Sequence, residues 1–375
     1  MYSTEIAIIG GGVVGLAIAA VVSQAYKNVI LLERHESFGR ETSSRSSEVI
    51  HASIYYPRNY LKGRLCLEGN EMMYEICRNY NIPHVNSGKL IIACDSDEVN
   101  RLPEWLELAQ NNGARGVRII DHTQISILEP NVTAQSAIFC PSSGTVDSHS
   151  LMQHFEAFAL SNGADIVYRS EVVSIERKAG NYILGIRASD GKTDYLETRV
   201  VINSAGLESG NIAALAGINI DQAGYRIHYH KGFYFRVIRN LDKYPRMLIY
   251  PLPPESGSVG IHTTPDLAGG MRLGPHFVWS DNIDYSVDES YRDYFYEEAR
   301  RWLPFLQPED LQPDTAGIMS AIQKPGEGMK DFIIKEESEQ GLPGLINLIG
   351  IESPGLTASP AIARMVKQIT KDYLH

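Results

Sequence analysis

Residues 5–15 read EIAIIGGGVVG and run on into LAIAAVV. Ile6, Ile8 and Ile9 favour an extended strand, which stops on glycines before small apolar residues open a helix. Gly10, Gly12 and Gly15 have the G-x-G-x-x-G spacing. Gly10 suits a tight turn, Gly12 lets the backbone approach a pyrophosphate, and Gly15 lets the helix pack closely on the strand. Phosphates would then sit on the unpaired N–H groups around Val13 and Val14, at the positive end of the helix. A second strand, 29–32, ends on Glu33 and Arg34. A carboxylate at 33 accepts bonds from the hydroxyls of an adenosine ribose and repels a 2′-phosphate, which argues against NADP. An ordinary strand-to-helix turn would explain the glycines but not Glu33.

The rest of the composition narrows the class. The 375 residues suffice for two domains or one elaborated one. A formal net charge of −11 argues against nucleic acid or an anionic membrane surface as a general partner, so an anionic substrate must find a local positive island. Cys66, Cys77, Cys94 and Cys140 are irregularly spaced, without a C-x-x-C pair. They are expected to be reduced core thiols, and no metal site is expected. The start, MYSTEI, lacks the basic segment of a signal peptide, and the apolar run 13–22 is too short to span a bilayer. The expected location is cytoplasmic, with room for peripheral contact on the inner membrane face.

After Glu33 comes RHESFGRETSSRSSEVIHASIYYP, polar and too long for a simple connection, and such segments are usually functional. Helices are expected over 61–80, 102–110, 150–160 and 290–303, and from Leu356 onward. Residues 165–201 alternate strand and turn, a strand followed by an antiparallel meander that returns to the main sheet at VVINSAG. Residues 223–274 are expected to be mostly β, with turns at PLPPESG and DLAGG.

Four stretches carry a resemblance: IIGGGVVGLAIA with LLER, TSSRSSEVIHASIYYP with LKGRLC, HKGFYF followed by IYPLP and GIHTTPD, and LINLIGIESPGLTASPAIA. Together the chain resembles the FAD-dependent oxidoreductases of the D-amino-acid oxidase type, and within them the L-2-hydroxyglutarate dehydrogenase branch. The resemblance implies an α/β fold: a glutathione-reductase-like, FAD-binding Rossmann domain interleaved with an antiparallel-sheet α+β substrate domain that roofs the flavin. The expected division gives 1–85, 145–218 and 325–375 to the FAD-binding domain and 86–144 and 219–324 to the substrate-binding domain. FAD lies extended, so contacts spread along the chain suit it better than NAD, which needs only the first motif.

Beside the glycines, Glu33 and Arg34, the resemblance implies FAD contacts at Thr42, Ser43, Ser44, Arg45 and Ser47, at Val173, and at Ala205 and Gly206. The segment Ser353, Pro354, Gly355, Leu356 and Thr357 opens the last helix, whose N–H groups and dipole would face the flavin pyrimidine carbonyls. His51, in VIHAS, reads from its neighbours as a core histidine, and the resemblance adds a role as proton acceptor or flavin-tuning group. Of Tyr55 and Tyr56, one is expected to pack, and Tyr56 is the candidate for contact with a substrate carboxylate. His262 is the second candidate base, although Gly260 and Thr264 do not demand burial and a surface position is the plain alternative.

The positive island lies between Asp221 and Asp242. It holds Arg226, Lys231, Arg236 and Arg239, with His228 and His230, and no acidic residue. Strand alternation puts Lys231 on the face of Ile227, Tyr229 and Phe233, where an ammonium needs an anion, such as a substrate carboxylate. The alternative is a bulge at Gly232 that turns Lys231 outward. One departure matters: many relatives carry an arginine after an A-G-I or A-G-V triplet, and this chain has Met319, a thioether in place of a planar fork.

The expected activity is oxidation of a small, L-2-hydroxyglutarate-like 2-hydroxy acid by hydride transfer to flavin N5, with oxygen or a quinone as electron acceptor. The other readings are an amine or amino-acid oxidase on the same fold, or a flavin-binding protein without turnover.

Overall fold

The structure is a computed structural model that describes residues 2–57, 59–253 and 260–374. The chain divides into two compact units, one built from Met1–Ser44, Ser148–Tyr229 and Met319–His375, the other from Arg45–Asp147 and His230–Ile318. Residues 45–85, grouped by sequence with the nucleotide domain, fall in the second unit. The helix Leu61–Tyr80 accounts for this, since Asn70 on it donates to the carbonyls of His51 and Ser142 at 2.8 Å each.

In the first unit the strand Tyr2–Ile9 is flanked on both sides by parallel partners, Val29–Leu32 and Thr193–Asn203. Asp165–Val167 extends the sheet beyond Val29–Leu32. Both faces of these central strands are covered, so they read as continuous aliphatic runs. The helix Val13–Val22 is apolar all round because it lies against the sheet and against the helices Ser148–Ser161 and Gly355–Thr370.

The expected meander is Ser170–Lys178, Asn181–Ala188 and Thr193–Asn203, antiparallel throughout. Its first turn has φ +51° at Ala179 and +91° at Gly180, the positive pair that matches the twist of a two-residue hairpin. The last strand does double duty. Thr193–Thr198 pairs with the meander, and Val201–Asn203 pairs in parallel with Leu345–Asn347, which fuses the meander to the main sheet. A buried polar chain crosses this seam: Asn203 Nδ2 donates to Asn347 Oδ1, and Asn347 Nδ2 and the Tyr225 hydroxyl donate to Glu337 Oε1, at 2.7–2.8 Å.

The second unit has one sheet in the order His262–Pro265, Met271–Ser280, His228–Val237, Leu311–Ala321. Another runs Leu248–Pro251, Lys89–Ala93, Ser136–Cys140, Arg118–Asp121, the first pair parallel and the others antiparallel. Leu90 and Ile92 point into a core with Phe233, Phe235, Leu273 and Phe295, while Ile91 and Ala93 face a smaller core with Leu102 and Ala109. The helix expected over 290–303 is shorter, Arg292–Ala299, because Pro304 disfavours helix at Leu303 and the chain turns Trp302 and Leu303 inward. Helix Ser96–Asn111 starts earlier than expected, capped by the Asp95 carboxylate on the N–H of Glu98. The turn expected at PLPPESG lies largely outside the described residues.

One carboxylate fixes the start of Leu248–Pro251. Glu129, 3% exposed, accepts the N–H groups of Met247 at 2.6 Å and Arg246 at 3.0 Å.

Candidate active site

The glycine turn shows why each glycine stands where it does. Gly10 has φ +106°, and a Cβ there would meet the Ser204 carbonyl oxygen at 2.6 Å. At Gly15 a Cβ would stand 2.0 Å from the Gly10 carbonyl oxygen, so only glycine lets the helix reach the strand end. Helix Val13–Val22 begins on Gly12 without a side-chain cap, and Ser43 Oγ accepts the N–H of Val13 at 3.0 Å.

Glu33 is 8% exposed and curls back on the turn, Oε2 accepting from Gly11 N–H at 2.6 Å and Oε1 from His35 N–H at 2.8 Å. A carboxylate has about four acceptor sites, so these bonds brace the turn and leave capacity for ribose hydroxyls. Arg34 is turned to its own chain, paired with Glu41 and with Glu208. Thr42 and Ser44 sit in the same irregular segment, Ser44 exposed and donating to the Glu41 carbonyl at 3.5 Å. A bulge takes Val173 out of the ladder, between the paired Val172 and Ser174. Ala205 N–H donates to Asn203 Oδ1 at 3.3 Å, and Gly206 follows at φ +54°.

The last helix, Gly355–Thr370, also lacks a side-chain cap at Pro354, and Thr357 in its first turn is fully buried. Leu356 is half-buried and Ser353 exposed. Gln323 Nε2 donates to Glu352 Oε1 at 3.3 Å just before this helix, while Gln323 Oε1 is buried without a partner. These features fit an FAD: a glycine cradle that a Cβ would fill, uncapped helix starts, and an orphaned acceptor beside the second of them. Gly10–Gly15, Glu33 and Ser43 would hold its nucleotide half.

The chemistry-bearing side chains of the second unit gather elsewhere. His262 is not on the surface; it is 4% exposed and stacked on Tyr250 with ring centroids 3.7 Å apart. Its Nδ1 faces the Gly260 carbonyl at 3.0 Å, and since a carbonyl only accepts, Nδ1 carries the proton and Nε2 the lone pair. Burial holds this imidazole far below its ordinary range, at about 3, with the charge of Lys89 adding to the effect. His51 is likewise driven well down by burial, then by Lys89 and His262. Burial thus favours the neutral form of both histidines.

The charge that acts on both belongs to a residue the sequence reading passed over. Lys89 is 1% exposed, its ammonium 3.7 Å from the centre of the Tyr250 ring and 5.6 Å from that of Tyr55. The signal was there, a lysine inside the apolar strand KLIIA. Of the two tyrosines, Tyr55 joins this group and its buried hydroxyl has no partner, whereas Tyr56 packs its Cβ against Gly63 and gives its carbonyl to Asn112 at 2.6 Å.

Lys231 is buried, as alternation requires, and is not turned outward; a Cβ at 232 would meet the Phe277 ring at 2.8 Å. The ammonium already has an anion, Asp284 Oδ2 at 2.6 Å. Two more cations of the island are answered in the same way, Arg226 by Asp221 and Arg236 by Asp314. Arg45 lies over the Tyr285 ring at 3.7 Å with its Nε buried and unpartnered, and Ser47 hydrogen-bonds the Tyr234 hydroxyl. Met319 is half-buried. Among the described residues no cluster could hold a metal ion, and no helix is long and apolar enough to cross a membrane.

Comparison with known proteins gives a consistent picture. The L-2-hydroxyglutarate dehydrogenase of Arabidopsis thaliana mitochondria is 35% identical over 96% of this chain and 82% of its own. That of Caenorhabditis elegans is 30% identical over 96% and 92%, and a glycerol 3-phosphate dehydrogenase of Caloramator mitchellensis is 30% identical over 98% and 74%. Among solved structures, an FAD-bound L-alpha-glycerophosphate oxidase from Mycoplasma pneumoniae superposes with TM-score 0.86 at 21% identity, over 99% of this chain and 95% of that one. A glycine oxidase from Geobacillus kaustophilus gives 0.82 at 18%, over 100% and 96%. These share the fold, a glutathione-reductase-like nucleotide sheet interleaved with antiparallel sheets. The family description "FAD dependent oxidoreductase" (DAO) matches residues 5–369. With that match running through both the glycine cradle and the histidine cluster, the chain belongs to the DAO family of FAD-dependent oxidoreductases.

Proposed function

We propose that the chain oxidises a small 2-hydroxy acid of the L-2-hydroxyglutarate kind, the first unit holding FAD and the second receiving the substrate. The observation that carries the reading is His262, buried, neutral and fixed as a single tautomer with Nε2 unprotonated. Oxidising an alcohol requires a group that takes the hydroxyl proton while the carbon gives up hydrogen with its electron pair. His262 Nε2 is that acceptor, and Tyr250 stacked on the ring holds its plane. His51, kept neutral beside it, is the second candidate. Bound FAD supplies the two-electron acceptor, and oxygen or a quinone then takes the electrons away. Relatives with that substrate in their names, at 35% and 30% identity, support the choice of a hydroxy acid over an amine.

The test is anaerobic addition of L-2-hydroxyglutarate to the FAD-reconstituted protein while following the visible flavin band. Bleaching at stoichiometric acid supports the reading. A band that stays oxidised with the acid but bleaches with glycerol 3-phosphate or glycine overturns it in favour of those substrates. Replacing His262 by Gln should slow bleaching by 10²- to 10⁴-fold, the usual contribution of a general base.

A further inference from the structure

Lys89 is a buried cation with no counter-charge. No carboxylate lies within ion-pair distance of it among the described residues. The groups that face it are the imidazoles of His51 and His262, the rings of Tyr55 and Tyr250, and the thiols of Cys66 and Cys140. Burial drives both imidazoles to the neutral form, pushes the Cys66 thiol up to about 12, and raises the phenols of Tyr55 and Tyr250 above their ordinary range. None of the groups so shifted supplies an anion near neutral pH.

Cation–π contact recovers less for a desolvated ammonium than its burial costs. Lys231, buried in the same unit, is handled differently, paired with Asp284. The buried hydroxyl of Tyr55, also without a partner, adds a second donor beside the same ring system. Donors without an acceptor describe a receptor for an anion.

We propose that Lys89 is the receptor for the substrate carboxylate adjoining the carbon that is oxidised, with the Tyr55 hydroxyl as its second donor. This rests on the reading of the chain as a 2-hydroxy-acid oxidoreductase and names the group that recognises the acid. The Lys89 ammonium and the His262 ring each lie 3.7 Å from the centre of Tyr250, so they are no farther apart than twice that, which favours the near carboxylate over a remote one. Lys89 thus supplies the carboxylate grip that Met319 cannot and that Lys231, committed to Asp284, does not need to.

The binding experiment is calorimetric titration of the FAD-reconstituted protein with oxalate and with 2-oxoglutarate, which carry the same carboxylate and are not oxidised. Desolvation sets Lys89 to about 8 in the free protein. Affinity should therefore hold below pH 8 and fall about tenfold per unit above it, because only the ammonium binds the anion. Lys89→Met should bind both probes roughly a hundredfold more weakly and lose the pH dependence, while retaining FAD. Lys89→Arg should keep most of the affinity and carry it unbroken past pH 9.

An affinity that stays flat from pH 6.5 to 9.5 in the unsubstituted protein overturns the proposal, and that measurement stands even if Lys89→Met does not fold. Unchanged binding in a folded Lys89→Met overturns it equally. Reduction of the flavin by 2-hydroxy acids is scored separately. Lys89-dependent oxalate binding without reduction by any hydroxy acid sinks the functional reading alone, and reduction without Lys89-dependent binding sinks this inference alone.

Discussion

Replacing Glu129 by Gln should stabilise the protein, and only above the ordinary range of a carboxylate. Glu129 is 3% exposed, and burial raises it from 4.5 to about 7 despite the two backbone N–H groups that favour its anion. The folded state therefore holds a proton that the unfolded state has released. The sign follows: stability is full below pH 4.5, declines as the unfolded group ionises, and reaches its floor once pH passes 7. At about 1.4 kcal/mol per unit, the gap is worth about 3 kcal/mol. A glutamine in the same place keeps one carbonyl oxygen for Met247 and Arg246 N–H and has nothing to ionise. Urea unfolding of both proteins at pH 5, 6, 7 and 8 gives the comparison. The two should be close at pH 5, with the variant ahead by about 3 kcal/mol at pH 8. A difference constant over this range, or one that grows toward acid, would refute the assignment of a buried, ionisation-resistant carboxyl. The gain bears on the site, because Glu129 fixes the start of the strand that carries Tyr250.

Three further outcomes follow. Gly15→Ala puts a Cβ 2.0 Å from the Gly10 carbonyl oxygen, so the helix must withdraw by more than the turn tolerates. The variant should leave gel filtration without FAD, whereas Gly12→Ala, whose Cβ meets only Ser43 Oγ at 3.1 Å, should fold normally; full FAD occupancy in Gly15→Ala contradicts this. Asp284→Asn, which leaves the buried Lys231 ammonium without its anion, should lower the melting temperature more than Lys231→Met, which leaves a half-exposed Asp284 in water. A Lys231→Met that leaves melting untouched but raises the substrate constant would return Lys231 to the substrate. Tyr225→Phe removes a hydrogen bond to the buried Glu337 and should cost roughly 1.5–3 kcal/mol in urea unfolding, with FAD still bound.

How far the sequence disclosed all this depended on whether the cause was local. The glycine turn was legible because each glycine is compelled by atoms of its own turn or of the adjoining strand end. The burial of Lys231 was legible from alternation, but Asp284 was not, being brought up from 53 residues away. The environment of Lys89 was invisible for a similar reason. Tyr250 reaches it only because Leu248–Pro251 pairs with Lys89–Ala93 in a parallel register fixed by the fold. His262 looked exposable because its strand neighbours are small, yet what covers it is again Tyr250. The choice between Tyr55 and Tyr56 is a question of parity, and parity fails where the backbone is irregular, as at Ser53 with φ +58°.

The seam between the first strand and its partner sets a clock on synthesis. Thr198 Oγ1 donates to the Glu5 carbonyl at 3.2 Å across 193 residues, beside a parallel ladder from Tyr2 to Ile9. At roughly 5–20 residues per second, the aliphatic strand that carries the glycine cradle waits on the order of ten to forty seconds for the neighbour that covers its edge. During that interval TEIAII is an unpaired β edge in a crowded cell, the kind of segment that chaperones bind and that aggregation starts from. Slowing the ribosome within 45–147 should lengthen the exposure and lower soluble yield without touching any residue of the finished site.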